Sequence, residues 1–130
     1  MSEILVPVSP GEVIDKITIL RIKSARMQDA AKVANVRIEL EMLERTWRAS
    51  AYGRHDVTAD ETALQAVNER LWDIEDRIRD KERDAQFDAG FIELARAVYI
   101  ENDERAAIKK RINTTLGSTI VEEKSYAAYR

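Results

Sequence analysis

Both prolines of this chain, Pro7 and Pro10, fall within its first ten residues, and its four glycines stand far apart at 11, 53, 90 and 117. Glycine and proline are the strongest breakers of regular backbone. Their spacing leaves three long stretches in which nothing local interrupts a helix. So few breakers give a helix-rich, loop-poor profile, not a disordered or fibrous one. The chain should be helical almost throughout.

The starts and stops can be read one by one. Ser9-Pro10-Gly11-Glu12 is a strong helix opening, with serine at N-cap, proline at N1 and glutamate at N3. Val8 and Val13 stand where a hydrophobic staple needs its partners, and the short Ile4-Leu5-Val6 run before them reads as extended or as a lone strand. Val13, Ile17, Leu20 and Met27 make one apolar stripe. Val33, Val36, Leu40, Leu43 and Trp47 make a second, at a 3-4-3-4 spacing. The step from Met27 to Val33 breaks the phase, so a bend is expected near Gln28–Ala31, with Asp29 capping a second helix. Ile14, Ile19 and Ile22 lie off the main stripe of the first helix, which predicts a central helix covered on two sides.

Ala51-Tyr52-Gly53-Arg54-His55-Asp56 is the clear loop. Thr58 and Glu61 make a capping box that would open a third helix, with Leu64, Val67, Leu71, Ile74 and Ile78 again at 3-4-3-4. The two matched seams predict that the second and third helices pair as an antiparallel hairpin. Asp88 is the expected N-cap of the next helix, with Phe87 and Ile92 as staple partners. Phe91, Ala95, Val98, Ala106, Ile112 and Leu116 should face inward, and Asn102 or Asp103 could cap a fresh helix. Gly117 is a good C′ residue. Ile120, Val121, Tyr126 and Tyr129 predict that the tail packs down.

The expected fold is therefore all-α: an antiparallel bundle of four to five helices with a short extended N-terminal segment and a packed C-terminal tail. Residues 1–130 should form a single domain. At 14.9 kDa, a compact monomer should expose about 7,000 Å², and no staple is needed to hold it.

Composition narrows the chemistry. The chain has no cysteine, which excludes disulfides, thiolate metal sites and thiol nucleophiles, and its one histidine, His55, lies in the loop. No metal site and no cofactor are expected. Twenty-one Lys and Arg face 24 Asp and Glu, spread evenly along the chain, so there is no basic half to track a phosphate backbone. No stretch reaches the 18–20 or so apolar residues of a membrane span, and no targeting signal precedes Pro7. These features predict a cytoplasmic protein that binds neither nucleic acid nor membrane.

Two enzyme readings can be built. Helical nucleotide pyrophosphohydrolases hold Mg²⁺ with acids from neighbouring helices, and Glu41, Glu44, Glu69, Asp73 and Asp76 could form such faces. Arg70 and Leu71 occupy places where that chemistry wants acid, and the arginines nearby suggest a solvated face instead. Ile14-Asp15 followed by Arg26-Met27 resembles the opening helix of the all-helical chorismate mutases, at a shorter spacing than theirs.

More informative are polar groups beside the apolar stripes. Asn102, Arg105, Lys109 and Asn113 step by 3, 4 and 4 and so share one side of a helix. Buried, they need partners and would fix helix register; left open, they would line a pocket for an anionic small molecule. The candidate pocket residues on these faces are Asn68, Glu75, Asn102, Arg105, Lys109 and Asn113.

Several segments together resemble a bacterial family of small uncharacterised proteins, a domain-of-unknown-function family. They are Pro7-Val-Ser-Pro-Gly-Glu12, Asp15-Lys-Ile-Thr-Ile-Leu20 with Ile22-Lys23, and Asn68 to Asp76. Asn102-Asp103 with Arg105, Ile112-Asn113, Leu116-Gly-Ser118 and Glu122-Glu-Lys-Ser-Tyr126 complete the set. The resemblance spans Pro7 to Tyr129 and implies a stand-alone intracellular domain, with no activity attached. Asp15, Lys16 and Lys124 join the candidate pocket residues only as polar residues of this resemblance. Without a metal, phosphate-loop or nucleophile constellation, the expected function is a non-catalytic interaction or scaffold module. Its partners would be a protein or a second copy, joined through Ile38, Met42 and Trp47. The alternative is a small-molecule binder or enzyme using the Lys/Arg/Asn face.

Overall fold

A computed structural model describes residues 2–129. Four helices follow in order: α1 (Pro10–Arg26), α2 (Ala30–Ala49), α3 (Thr58–Arg83) and α4 (Ala89–Leu116), with no strand among the described residues. No helix is long and apolar enough to cross a membrane among those residues.

Most boundaries sit where local chemistry puts them. Ser9 caps α1 through the Glu12 N–H, Asp29 caps α2 through the Ala31 and Lys32 N–H groups, and Asp88 caps α4 through the Phe91 N–H. Each satisfies donors that the first turn of a helix leaves orphaned. Gly117 closes α4 at φ 67°, the left-handed conformation that glycine adopts without Cβ strain.

Two starts differ from expectation. Thr58 is not a cap: Val57 holds that position without a side-chain bond, and the Asp56 carboxylate takes the Thr58 N–H at 3.0 Å. That bond holds the Asp56 carboxyl below its usual range. Glu61, the other half of the expected box, instead meets Arg21 of α1. No helix restarts at Asn102 or Asp103 either, since α4 runs unbroken for 28 residues. Asp103 and Glu104 sit on its solvent side, where polar residues cost a helix little.

Packing follows α1, which lies against all three other helices, while α3 also packs along α4. The apolar residues on several faces of α1 have this cause: Ile14, Ile17, Leu20 and Ile22 are all buried. The core proper is Ile14, Leu64, Val67, Ile108 and Ile112, with Trp47, Val57, Leu71 and Leu116 against it. Of the α4 stripe, Leu94 and Ile108 are buried although the expected inward set omits them, whereas Phe91, Ala95 and Val98 are only half-buried.

The expected α2–α3 hairpin does not form. Helix α2 packs on α1 and makes no close backbone approach to α3. A three-residue link, 27–29, folds α2 straight back on α1, and the apolar stripe of α2 is spent there. Only Val36 of α2 is fully buried, and Ile38 stays 62% exposed. The pairing of α3 with α4 runs in opposite chain order: Arg111 meets Asp60, Arg70 meets Glu101, and Lys81 meets Asp88.

The ends are irregular. Residues 2–8 are exposed, Ile4 almost fully. The tail after Gly117 turns back along α4 and is mostly exposed, so it is moored more than packed. Glu122 bonds Lys109 and Ser9, and Tyr129 meets the Asp103 carboxylate and the Tyr99 ring. The total accessible surface is 9117 Å², against about 7,000 Å² for a compact monomer of this mass. The outer face of α2, the polar end of α3 with the junction after it, and the two irregular ends are all exposed.

Candidate functional site

Asp15 is the centre of the polar interior. It stands on α1 between the core isoleucines at 1% exposure, where an ionised carboxylate is costly unless fully partnered. Arg105 of α4 supplies a two-point contact, Nε to Oδ1 at 2.9 Å and Nη2 to Oδ2 at 2.5 Å. Such a fork matches carboxylate geometry better than a point charge does. Asn68 of α3 donates Nδ2 to the same Oδ1 at 3.0 Å and to Thr18 Oγ1 at 2.9 Å. Thr18 Oγ1 in turn donates to the Asp15 carbonyl. One carboxylate thereby ties α1, α3 and α4 together.

A second cluster continues from it toward the tail. Lys109 lies one turn beyond Arg105 on α4, 3.9 Å from Asp15, and donates to Glu12 at 2.6 Å and Glu122 at 3.2 Å. Burial opposes the charge on Lys109, but its bond to Glu12 and the field of Asp15 outweigh that and hold its pKa above the ordinary lysine value. Hydrogen bonding to Asp15 likewise raises Arg105, against the cost of burial. For Glu122, burial pushes the pKa up, and the Lys109 bond and charge overcome it and lower it.

Asn113, 4% exposed, acts on the backbone: its Oδ1 accepts the Gly11 N–H at 2.7 Å. A side chain 102 positions away thus serves a first-turn donor of α1 that Ser9 cannot reach. Gly11 is required there. A Cβ at that position would lie 2.6 Å from the Lys109 carbonyl oxygen and 2.8 Å from Asn113 Oδ1.

Of the nine candidate residues, then, Asp15, Asn68, Arg105 and Lys109 join one connected network, and Asn113 stands beside it on the Gly11 N–H. Lys16 touches its edge through Glu12 at 3.8 Å. Glu75 pairs with Arg79 on the surface. Lys124 lies on the tail with its ammonium over the Tyr126 ring, and Asn102 is half-buried beside Arg105. Sequence reasoning missed Thr18 and Glu122 as parts of the network and Gly11 as the partner of Asn113, and read Ser9 and Glu12 only as capping residues. The fully polar stretch Glu122-Glu123-Lys124 after a helix stop was the one available signal for the tail contact.

Two grooves flank Arg105. One, of about 510 Å³, runs between α4 and the tail and is lined by Asn102, Lys109, Asn113 and Lys124 among others. The other, of about 460 Å³, runs over α1, α3 and α4 past Ile19, Leu71, Trp72 and Glu75. The acids weighed as a metal face are spent on ion pairs or stand apart: Asp73 meets Arg26 and Glu44 meets Arg48. No group of three or more His, Asp or Glu side chains converges as a metal site among the described residues.

Among the described residues, fold and interior together define a strand-free arrangement of four helices in which a buried carboxylate and its partners tie α1, α3 and α4 together. The chain belongs to the family of unknown function DUF6165, whose model matches residues 4–129. No curated protein and no solved structure matches it.

Proposed function

We propose that this chain is a non-catalytic interaction module, an antiparallel bundle that works as a homodimer through the outer face of α2. The observation that carries this is surface: 9117 Å² exposed, roughly 2,100 Å² more than a compact monomer needs. Obligate homodimers bury about 1,000 Å² or more per protomer, so the excess leaves room for such an interface even after the irregular ends take their share. Ala31, Ala34, Ile38 and Met42 follow one another along the open face at 3-4-4 spacing, all exposed. That spacing keeps them on one side of the helix, as a small and apolar ridge that a second helix can pack against. Trp47, the third residue expected at the interface, packs against the core instead and drops out of the reading. The polar interior speaks against its use in catalysis, because Asp15, Arg105 and Lys109 are already spent on one another.

Light scattering on the purified chain should give twice 14.9 kDa at high micromolar concentration. Ile38→Glu with Met42→Glu should return it to a monomer with unchanged helicity, since both side chains are exposed. A wild type that stays monomeric overturns the proposal.

A further inference from the structure

The groove over α1, α3 and α4 contains an unanswered acceptor. Asn68 is 5% exposed, and both protons of its Nδ2 are used, on Asp15 and Thr18. Its Oδ1 makes no hydrogen bond within the described chain. No sealed side-chain polar atom there lacks a partner, so this oxygen is reached from outside, and the opening that Asn68 lines is this groove. A nearly buried amide that offers one free acceptor to a cavity is costly unless something donates to it.

Donors stand beside it. Arg105 Nε and Asn68 Nδ2 share one oxygen of Asp15, at 2.9 and 3.0 Å, so the guanidinium and the amide are neighbours. Arg105, which lines the groove, uses Nε and Nη2 on Asp15 and makes no hydrogen bond through Nη1. Asn102 and Lys23, both half-buried, line the same space, and neither side chain makes a hydrogen bond or ion pair among the described residues. On the α3 side Asp76 and Glu75 stand at the rim, Glu75 paired with Arg79, which lines the groove as well. The walls between are apolar: Ile19, Ile22, Leu71 and the flank of Trp72. An apolar cleft with a few convergent polar groups is the usual form of a small-ligand site.

We propose that this groove binds a small aromatic amino acid. Its carboxylate meets Arg105 Nη1, Asn102 and Lys23. Its ammonium donates to Asn68 Oδ1 and faces Asp76 on the α3 rim, and its ring lies along Trp72 and Leu71. The order of groups decides the class: a donor-rich end, one acceptor next to it, and a flat apolar wall beyond. An anion alone would leave Asn68 unanswered, and an amine alone would leave the three donors unanswered. The site lies on α1, α3 and α4 and does not rest on the proposed α2 dimer.

The test uses the intact chain and three probes: L-phenylalanine, 3-phenylpropanoate without the amine, and phenethylamine without the carboxylate. The two tryptophans give two indole N–H resonances, assigned through Trp72→Phe. L-phenylalanine should shift the Trp72 resonance saturably and leave Trp47, in the core, in place. Each truncated probe should bind at least about tenfold more weakly, the effect of losing one hydrogen bond to a charged group. Asn102→Ala and Lys23→Met should each weaken L-phenylalanine and 3-phenylpropanoate while leaving phenethylamine unchanged. No saturable shift with any probe, equal affinity for all three, or indifference to both variants overturns the assignment. Light scattering on the same samples reports the dimer separately, so either idea can fail alone.

Discussion

Arg105→Ala puts the buried carboxylate to the sharpest test. The variant deletes both guanidinium contacts to Asp15 and leaves a 1% exposed carboxylate with Asn68 on one oxygen and Lys109 at 3.9 Å from the other. Removing one partner of a buried pair costs about 3–5 kcal/mol when the survivor is stranded. Here Lys109 offsets part of that, and water can enter through the space the side chain vacates, so the expected loss is about 3 kcal/mol. At about 2.1 cal/mol/K per residue, a chain of this length has an unfolding entropy near 270 cal/mol/K, which turns that loss into a Tm drop of about 11 °C. Thermal unfolding followed by circular dichroism measures it. A drop under about 3 °C would refute the claim that this pair holds the register. Asp15→Asn combined with Arg105→Ala should recover part of the loss, because no stranded charge remains. Strict additivity of the two single variants would count equally against the argument.

Gly11→Ala should destabilise by about 2 kcal/mol, because its methyl group meets a main-chain carbonyl that cannot yield. Gly90→Ala, whose nearest neighbour is the flexible Lys81 tip at 3.2 Å, should be neutral or gain up to about 1 kcal/mol of helix propensity; denaturant midpoints separate the two. The tail contact should depend on pH at both ends. The lowered pKa of Glu122 means its contribution is complete above the unfolded carboxylate value and is lost as pH falls through the folded one. The raised pKa of Lys109 means its contribution is complete below the ordinary lysine value and is lost as pH rises through the folded one. NMR relaxation should therefore find residues 120–127 ordered near neutrality and freed only in acid below the ordinary carboxylate range; a tail equally mobile at both would sink the mooring.

Much of the fold was legible because helix ends are local. Ser9, Asp29, Asp88 and Gly117 act within four residues of themselves, and all four behave as their types predict. The exceptions share a cause. Thr58 loses its cap position to Val57 while Asp56 takes its N–H, and Glu61 is drawn off to Arg21, a residue 40 positions earlier. The break expected at Asn102 fails because a polar turn on the wet side of a packed helix costs nothing that ends it.

The polar site was legible only in part. The spacing of Asn102, Arg105, Lys109 and Asn113 showed that they share a face, and three of them, Arg105, Lys109 and Asn113, do converge on α1. What the spacing could not state was the partner of each. Asn113 caps α1 across 102 positions, and no local pattern encodes a bond of that length.

By itself, then, the amino-acid sequence determined where helices start and stop, that α1 would be central, and which residues could not be buried unpaired. Only the tertiary structure decided which seams meet. Heptad stripes on α2 and α3 were equally able to pair with each other or with other helices, because apolar burial is non-directional and a 3-4 repeat fits any similar repeat. The direction came from the short link that folds α2 onto α1 and from hydrogen bonds between α1, α3 and α4. Those bonds demand particular atoms at about 3 Å, and so select one packing among many of similar apolar area.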